Sequence, residues 1–393
     1  MADNTRDSLN DDELSQHSPF DITQLPQSFK TFLDTNAIDP KIYTVEQLPR
    51  YIRWNTHFPS DQLPTVDQLQ SQLNTDDVWE INGMPGFFGF QLSKQKQPLR
   101  LYDIPAYQQH AIFGIDLSSA IAVEALTINR DDHVLDLCCA PGAKLCMIAN
   151  VLGTEGLGTV TGVDIAAHRL ATCRSMIKKY RVGPRIRLYE ADGTTFDVTA
   201  PSRLGAHRFD NDDDTSEAKK RRKVDSRKPF WAPKTLRHDP GQARLYDKVL
   251  VDAECTHDGS ISHIIKYEKW GWDAFEKNFM DANRLDTICE LQRNLMTQGW
   301  TLLRKKGIMV YSTCSLTIKQ NEENVAWFLQ QHPEAELETI PLVSHLGIPL
   351  AEIKRTHHDQ HIQTLMDKYC VRFDPLISRT SGFFLARFRK IVD

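Results

Sequence analysis

None of the eight cysteines forms a Cys-x-x-Cys pair, so the sequence offers no structural zinc ribbon. It has neither a Gly-x-Gly-x-x-Gly turn nor a phosphate loop ending in Gly-Lys-Ser/Thr, which disfavours pyrophosphate binding. There is no internal repeat, no signal-peptide pattern and no uninterrupted apolar run long enough to cross a bilayer. The expected setting is soluble and reducing, where thiols stay free, with no membrane contact and no metal. An excess of positive charge is missing too: 47 Lys+Arg stand against 52 Asp+Glu, a formal charge of −5. That excludes a strongly basic nucleic-acid binder, so any RNA-binding face must be a local patch. The imbalance sits at the start, where residues 1–100 hold 14 acidic and 8 basic residues.

What is present is a 393-residue chain of ordinary globular composition, long enough for two domains or one large domain with additions. Residues 1–24 are polar and read as a disordered tail. Residues 25–110 mix helix-like pieces (27–35, 65–73) with strand-like ones (51–54, 87–91), the pattern of a small N-terminal α+β domain. A periodic helix at 115–126 opens the second domain, 111–393. Strands at 134–137, 158–163, 186–189, 248–251 and 308–312 then alternate with helices at 144–151, 166–180, 284–303 and 320–330. Such alternation specifies an α/β fold, a doubly wound, mostly parallel sheet with helices on both faces. Residues 381–389 read as a last strand, an antiparallel edge or hairpin partner. The rhythm breaks at 201–245, where an acidic block precedes Lys219-Lys220-Arg221-Arg222-Lys223-Val224. Adjacent blocks of opposite charge favour a disordered insertion.

The loop Asp136-Leu137-Cys138-Cys139-Ala140-Pro141-Gly142-Ala143-Lys144 follows a strand and opens a helix. Small residues let the backbone approach a ligand, and free helix N–H groups bind its polar parts. The next strand ends at Asp164, where an acid typically accepts hydrogen bonds from ribose hydroxyls, and the third leads to Asp192, a place that meets an adenine edge. Singly these are ordinary turn residues; together around one loop they form an S-adenosyl-L-methionine (AdoMet) site, with Arg169 as a further contact. Two cysteines, Cys255 after the strand Val249-Leu250-Val251-Asp252 and Cys314 after Val310-Tyr311-Ser312-Thr313, would emerge at strand carboxyl ends beside that loop. A lone Cys in such a place is more often a small buried hydrophobe, whereas two delivered to one crevice suggest covalent catalysis. Cys146, Cys173, Cys289 and Cys370 read as packing positions.

With these motifs in order, the chain resembles the Sun-domain RNA cytosine-5 methyltransferase family over nearly all of residues 25–393. The cofactor loop is similar to that family's Asp-x-Cys-Ala-Ala-Pro-Gly-Gly-Lys, with Cys139 and Ala143 as departures. Arg53-Trp54-Asn55 matches an Arg-x-Asn signature, and Phe113-Gly114-Ile115-Asp116-Leu117-Ser118-Ser119 the helix motif before the cofactor strand. Ser312-Thr313-Cys314-Ser315 followed by Asn321-Glu322-Glu323-Asn324-Val325 resembles the nucleophile motif, and Gly382-Phe383-Phe384-Leu385-Ala386-Arg387-Phe388 the terminal strand.

The resemblance implies that the Cys314 thiolate adds to carbon 6 of cytosine, that the activated carbon 5 takes a methyl group from AdoMet, and that Cys255 assists release. It also implies that Asp252 hydrogen-bonds the cytosine N3 and amine. One motif departs: the pattern Asp-Ala-Pro-Cys-Ser-Gly-x-Gly stands here as Asp252-Ala253-Glu254-Cys255-Thr256-His257-Asp258-Gly259. A carboxylate at 254 is expected to raise the pKa of Cys255 and suit it to release.

The implied partner is RNA, with transfer RNA favoured over ribosomal RNA and the N-terminal domain selecting RNA shape. Tyr267, Trp270 and Trp272 are candidate stacking groups for an extruded base, or equally packing residues. Arg53, Lys144, Arg169 and Lys266 are candidate cationic contacts. The basic run 219–224 resembles a nuclear import signal or is a solvated charge run, leaving the location nuclear or cytoplasmic. A monomer is expected. Methylation of a small molecule or protein nitrogen needs no thiol pair, so the cysteines oppose it. A non-catalytic RNA-binding or ribosome-assembly factor on the same scaffold would not need Asp252, Cys255 and Cys314 together.

Overall fold

The structure, a computed structural model, describes residues 20–92, 100–201, 203–204, 228–233, 236–237, 244–279, 284–356 and 359–391. Most of the tail, most of the 201–245 insertion and the whole basic run 219–224 lie outside the described residues.

Four short strands, β1 (Arg50–Trp54), β2 (Val78–Glu80), β3 (Phe87–Phe90) and β4 (Ile112–Gly114), form an antiparallel sheet in the order β2-β3-β1-β4. The predicted start at Thr65 is the cap of the helix Val66–Leu73: Thr65 and Gln68 form a reciprocal capping box. The sheet takes in Ile112–Gly114, past residue 110.

The main sheet is built from β5 (His133–Asp136), β6 (Thr159–Asp164) and β7 (Ile186–Glu190), then, beyond a small two-residue ladder of β8 (Arg203–Leu204) with β9 (Leu236–Arg237), from β10 (Tyr246–Asp252), β11 (Leu303–Thr313), β12 (Ala335–Leu337), β13 (Val371–Phe373) and β14 (Phe383–Lys390). Its order is β12-β14-β11-β10-β5-β6-β7, with β13 also on β14. Neighbours from β7 through β11 run parallel, and β14 is antiparallel to β11, β12 and β13. The chain steps outward from β5 to β7, then returns to lay β10 on the other side of β5. That reversal opens a crevice at the carboxyl ends of β5 and β10, where such sheets bind ligands.

Central strands covered on both faces should be apolar throughout, and Val249, Leu250 and Val251 are fully buried. Alternate residues serve opposite cores: Val134, Leu250 and Val310 pack with Leu145 and Ile148, while Leu135, Val249, Val251 and Tyr311 pack with Met296, Trp300 and Phe328. The small sheet shares the first of these cores through Tyr51, Phe87 and Phe113. Asn55 fastens it further, its Nδ2 donating to the carbonyls of His110 and Tyr180 at 3.0 Å each. A third core joins Phe29 and Tyr43 to Ile264, Tyr267 and Phe275, so the segment after residue 20 buttresses the helices that follow Cys255. Among the described residues no helix is long and apolar enough to cross a membrane.

The last strand is antiparallel as expected, but it is not an edge. β14 lies between β11 and β12, and β12 takes the edge. β12 and β13 are three residues each, too short to leave a periodic signal. β11 starts at Leu303, ahead of the predicted 308, because Arg304-Lys305-Lys306 form its exposed approach to the apolar run.

Candidate active site

The cofactor loop is stitched between two strands. Leu137 N donates to Leu250 O and Cys139 N to Val163 O, at 3.1 and 3.0 Å. The helix Ala143–Leu152 starts after Gly142, whose φ of +114° and whose missing Cβ, which would lie 3.2 Å from Cys173 Cα, both require glycine. Cys139 is buried in the loop and Cys138 partly exposed, while Cys146, Cys173, Cys289 and Cys370 are buried as packing residues. Asp164 ends β6 and accepts from Ala166 N at 2.9 Å. Arg169 bridges it to the loop, with Nη1 3.5 Å from Asp164 and Nη2 donating to Ala140 O at 2.8 Å. Asp192, just past β7, is exposed and accepts from Thr194 N and Oγ1 at 2.9 and 2.7 Å.

Asp136 at the root of the loop was not singled out by sequence. It is 1% exposed, and neither carboxyl oxygen finds a hydrogen-bond partner among the described residues. Burial, and then the nearby Asp252 carboxylate, push its pKa up to about 8. A buried carboxyl with unspent acceptors, beside a loop of small residues, suits a cofactor that brings polar groups and a positive charge. The donor and acceptor set fits the AdoMet that the resembled motifs imply.

The two thiols meet because β10 and β11 are parallel neighbours in register, with Asp252 opposite Ser312. Each chain leaves its strand there, and Cys255 Sγ comes to 3.2 Å from Cys314 Sγ. Asp252 is held from both sides: Ser312 Oγ donates to Oδ1 and Lys144 Nζ reaches Oδ2, each at 2.7 Å. Burial alone would lower the Lys144 pKa, but the Asp252 carboxylate more than offsets this and the pKa is raised. Lys144, expected on the cofactor, therefore meets the acid of the Asp252 motif. Cys314 is partly exposed whereas Cys255 is 1% exposed.

Burial, followed by the neighbouring Cys314, pushes the Cys255 thiol well up. The expected direction is present but its expected cause is not. Glu254 is exposed and its carboxylate faces Arg284 at 3.4 Å, away from the thiol.

Sequence reasoning also missed His257, whose signal was a His where the resembled motif has Gly. Its Nδ1 lies 2.9 Å from Cys314 Sγ and 3.7 Å from Cys255 Sγ. Beneath it a buried polar network locks the two thiol loops. Asp258 accepts from Thr256 Oγ1, from Ser315 Oγ at 2.9 Å and from Leu316 N at 2.6 Å, while Gln320 Nε2 donates to Thr256, Ser315 and Thr317. Tyr43 Oη donates to Asp258 O at 2.7 Å from the N-terminal segment. Gly259 N donates to Cys314 O and Gly382 N to Gly259 O, at 2.9 and 2.8 Å, closing three segments on one another.

Among the described residues, Cys255, His257 and Cys314 are a group with three ligand-type atoms within 4.8 Å of one another. Ligands about 2.0–2.3 Å from a tetrahedral zinc ion would stand roughly 3.5–3.8 Å apart. Two of the three separations, 2.9 and 3.2 Å, fall short of that range and are those of hydrogen-bonded groups, while the 3.7 Å from His257 Nδ1 to Cys255 Sγ lies within it.

Of the RNA candidates, Tyr267 is buried and Trp272 packs against Phe275 and Phe20, so both are packing residues. Trp270 is 51% exposed with Lys266 Nζ 4.7 Å from its ring centre. Arg53 is 8% exposed and lies over Phe113, with burial lowering its pKa to about 10; it is not placed to touch phosphate.

A family model for the 16S rRNA methyltransferases RsmB/F matches residues 123–211 and 222–389. The chain belongs to this family. As a family member it is similar to ribosomal RNA small subunit methyltransferase B of Yersinia enterocolitica, 25% identical over 82% of this chain and 58% of the relative. It is also similar to the tRNA (cytosine(72)-C(5))-methyltransferase of Pyrococcus horikoshii, 24% identical over 77% of this chain and 58% of the relative. The chain thus spans under two thirds of the length of these curated relatives. In fold, this RsmB/F-family chain resembles NSun6 from Pyrococcus horikoshii with SFG, at a TM-score of 0.62 and 16% identity over 94% of this chain and 99% of that one. A methyltransferase homologue from the same organism gives a TM-score of 0.59 at 21% identity, covering 89% of each chain.

Proposed function

We propose that the chain is an AdoMet-dependent RNA cytosine-5 methyltransferase, acting as a monomer, with transfer RNA favoured over ribosomal RNA. The observation that carries this reading is the placement of two thiols 3.2 Å apart beside a fastened carboxylate at the mouth of the crevice. Methylation at a nitrogen would leave such a pair without work. Residues 138–144, Asp164, Arg169 and Asp192 would hold the cofactor, which when bound supplies a methyl group on a sulfonium.

The Cys314 thiolate, the more exposed of the two, adds to carbon 6 of the target cytosine. Asp252 meets the N3 and amine edge of the ring and stabilises the charge that the addition places there; Lys144 and Ser312 keep its oxygens in position. Cys255, buried and held neutral, supports the departure of Cys314 once carbon 5 has lost its proton. The N-terminal sheet, fastened through Asn55, would present RNA at a constant distance from the thiols.

Cellular RNA incubated with labelled AdoMet tests the proposal. Wild type should transfer label to cytosine, Cys314→Ala should transfer none, and Cys255→Ala should accumulate a covalent RNA adduct. Transfer by Cys314→Ala, or no transfer by wild type to any RNA, overturns it. Bisulfite sequencing of RNA from cells with and without the protein then separates transfer RNA from ribosomal RNA.

A further inference from the structure

His257 occupies a place that the resembled motif gives to Gly, and the backbone there keeps a conformation suited to Gly. Its φ is +55°, in the left-handed region that β-substituted residues seldom adopt. An imidazole kept at such a position is strained unless its side chain contributes something. That side chain is turned inward: Nδ1 sits 2.9 Å from Cys314 Sγ, and the ring lies against that of His263, with centroids 4.7 Å apart.

The surroundings decide which way a proton moves between these groups. Cys255, 3.2 Å from Cys314, is buried and its pKa is pushed well up, so it stays a thiol and can donate its S–H toward Cys314. Lys144 is a cation engaged by Asp252 at 2.7 Å and has no lone pair to offer. Glu254 faces Arg284. Burial alone would lower the His257 pKa, yet Cys255, then Glu254 and Asp258, raise it on balance. Among the described residues, the imidazole is the neutral base placed within hydrogen-bond distance of Cys314 Sγ.

We propose that His257 is the proton acceptor that activates Cys314, a role that rests on the methyltransferase reading above. The S–H bond of Cys314 breaks, its proton goes to Nδ1, and sulfur keeps the electron pair. That pair forms the bond to carbon 6, while the carbon 5–carbon 6 pair moves into the ring and is then used to bond the methyl group, whose bond to the sulfonium donor breaks and leaves its pair on the donor sulfur. The carbon 5 proton leaves to water, its C–H pair re-forms the carbon 5–carbon 6 double bond, and the carbon 6–sulfur bond breaks with its pair returning to sulfur. The proton taken at the start remains on His257 throughout, so each turnover begins and ends with an imidazolium beside a thiolate. The S–H of Cys255 and the charge of Lys144 stabilise the same sulfur from other sides.

The groups around His257 are Cys255, Glu254 and Asp258 on its own loop, Cys314 across the crevice with the Lys144–Asp252 pair beyond it, and His263, itself near Lys266, on the helix Ile261–Trp270. The test is run on the full chain with a chelator present. Iodoacetamide labelling of Cys314, located by peptide mass spectrometry, is compared in wild type, His257→Gly and His257→Gln between pH 6 and 9.5. Gly relieves the left-handed backbone, so His257→Gly should melt no lower than wild type. Labelling of Cys314 near pH 6.5 should fall at least tenfold in both variants, and the three proteins should converge at pH 9.5. Single-turnover RNA methylation should follow the same profile, lost near neutral pH and rescued at high pH. Labelling within twofold of wild type at pH 6.5 overturns the role of His257. A wild type that labels as expected but methylates no RNA overturns the methyltransferase reading and leaves the proton transfer standing.

Discussion

Adding a single methyl group at Gly259 should damage the site more than its size suggests. A Cβ there would lie 2.6 Å from Gly382 O and 2.7 Å from Cys314 O. Both neighbours are backbone atoms, so neither can rotate away as a side chain would. Reaching an ordinary contact of 3.4 Å requires the segments to part by about 0.8 Å. Overpacking of this kind costs about 1–3 kcal/mol, a drop in Tm of roughly 2–12 °C at about 2–4 °C per kcal/mol. The kinetic consequence should be larger than the thermal one. The same movement strains the hydrogen bonds from Gly259 N to Cys314 O and from Gly382 N to Gly259 O, and carries Cys314 away from Asp252. Displacement of a reacting group by about 1 Å can cost on the order of a hundredfold in rate. Thermal melts and single-turnover methylation of Gly259→Ala should therefore show a modest Tm loss and a rate loss of about that order. A Tm within about 1 °C of wild type together with a rate within about twofold would show that the three segments are not in the contact described.

Asp136 remains protonated up to about pH 8 in the fold and ionises near 3.8 in its ordinary state, so the folded protein binds more protons across that window and loses stability as pH rises. Asp136→Asn removes the dependence: its Tm advantage over wild type should grow from pH 5 to 8, by at most about 1.4 kcal/mol per unit, and level off above. A pH-independent difference refutes the raised value. Arg372 Nη2 and Nε donate to Glu322 at 2.7 and 3.0 Å and Nη1 to Leu316 O at 2.9 Å, in full burial. Arg372→Ala strands that carboxylate and should cost about 3–5 kcal/mol in urea unfolding; a loss below about 1 kcal/mol contradicts the pairing. Asn55→Ala leaves the His110 and Tyr180 carbonyls without its amide. Hydrogen exchange near β1 and β4 should speed up before the main sheet is affected, and unchanged exchange refutes the fastening role.

Much of the site was legible before the structure because it is local. An apolar run and the polar residues that end it are adjacent in the chain, so Asp164, Asp252, Cys255 and Cys314 could each be placed at a strand end. The cofactor loop was equally readable, since its small residues and its helix start lie within nine consecutive positions. Arg53, however, belongs to a signature whose charge suggested phosphate, yet its guanidinium is buried over Phe113. Its exposure depended on where a neighbouring strand would lie. Glu254 could be read as a charge beside Cys255, but successive side chains leave the backbone in different directions, and its carboxylate went to Arg284.

What the sequence by itself determined is the α/β alternation, the family motifs and the residue types of the reactive groups, because these follow from short-range periodicity and turn chemistry. Which groups touch was decided only by tertiary structure. Cys255 and Cys314 are 59 positions apart and meet only through the parallel register of β10 against β11. The placement of β14 inside the sheet brought Gly382 against Gly259. His257 became part of the pair because a left-handed backbone turned its ring onto Cys314, a direction no pattern of residue types encodes.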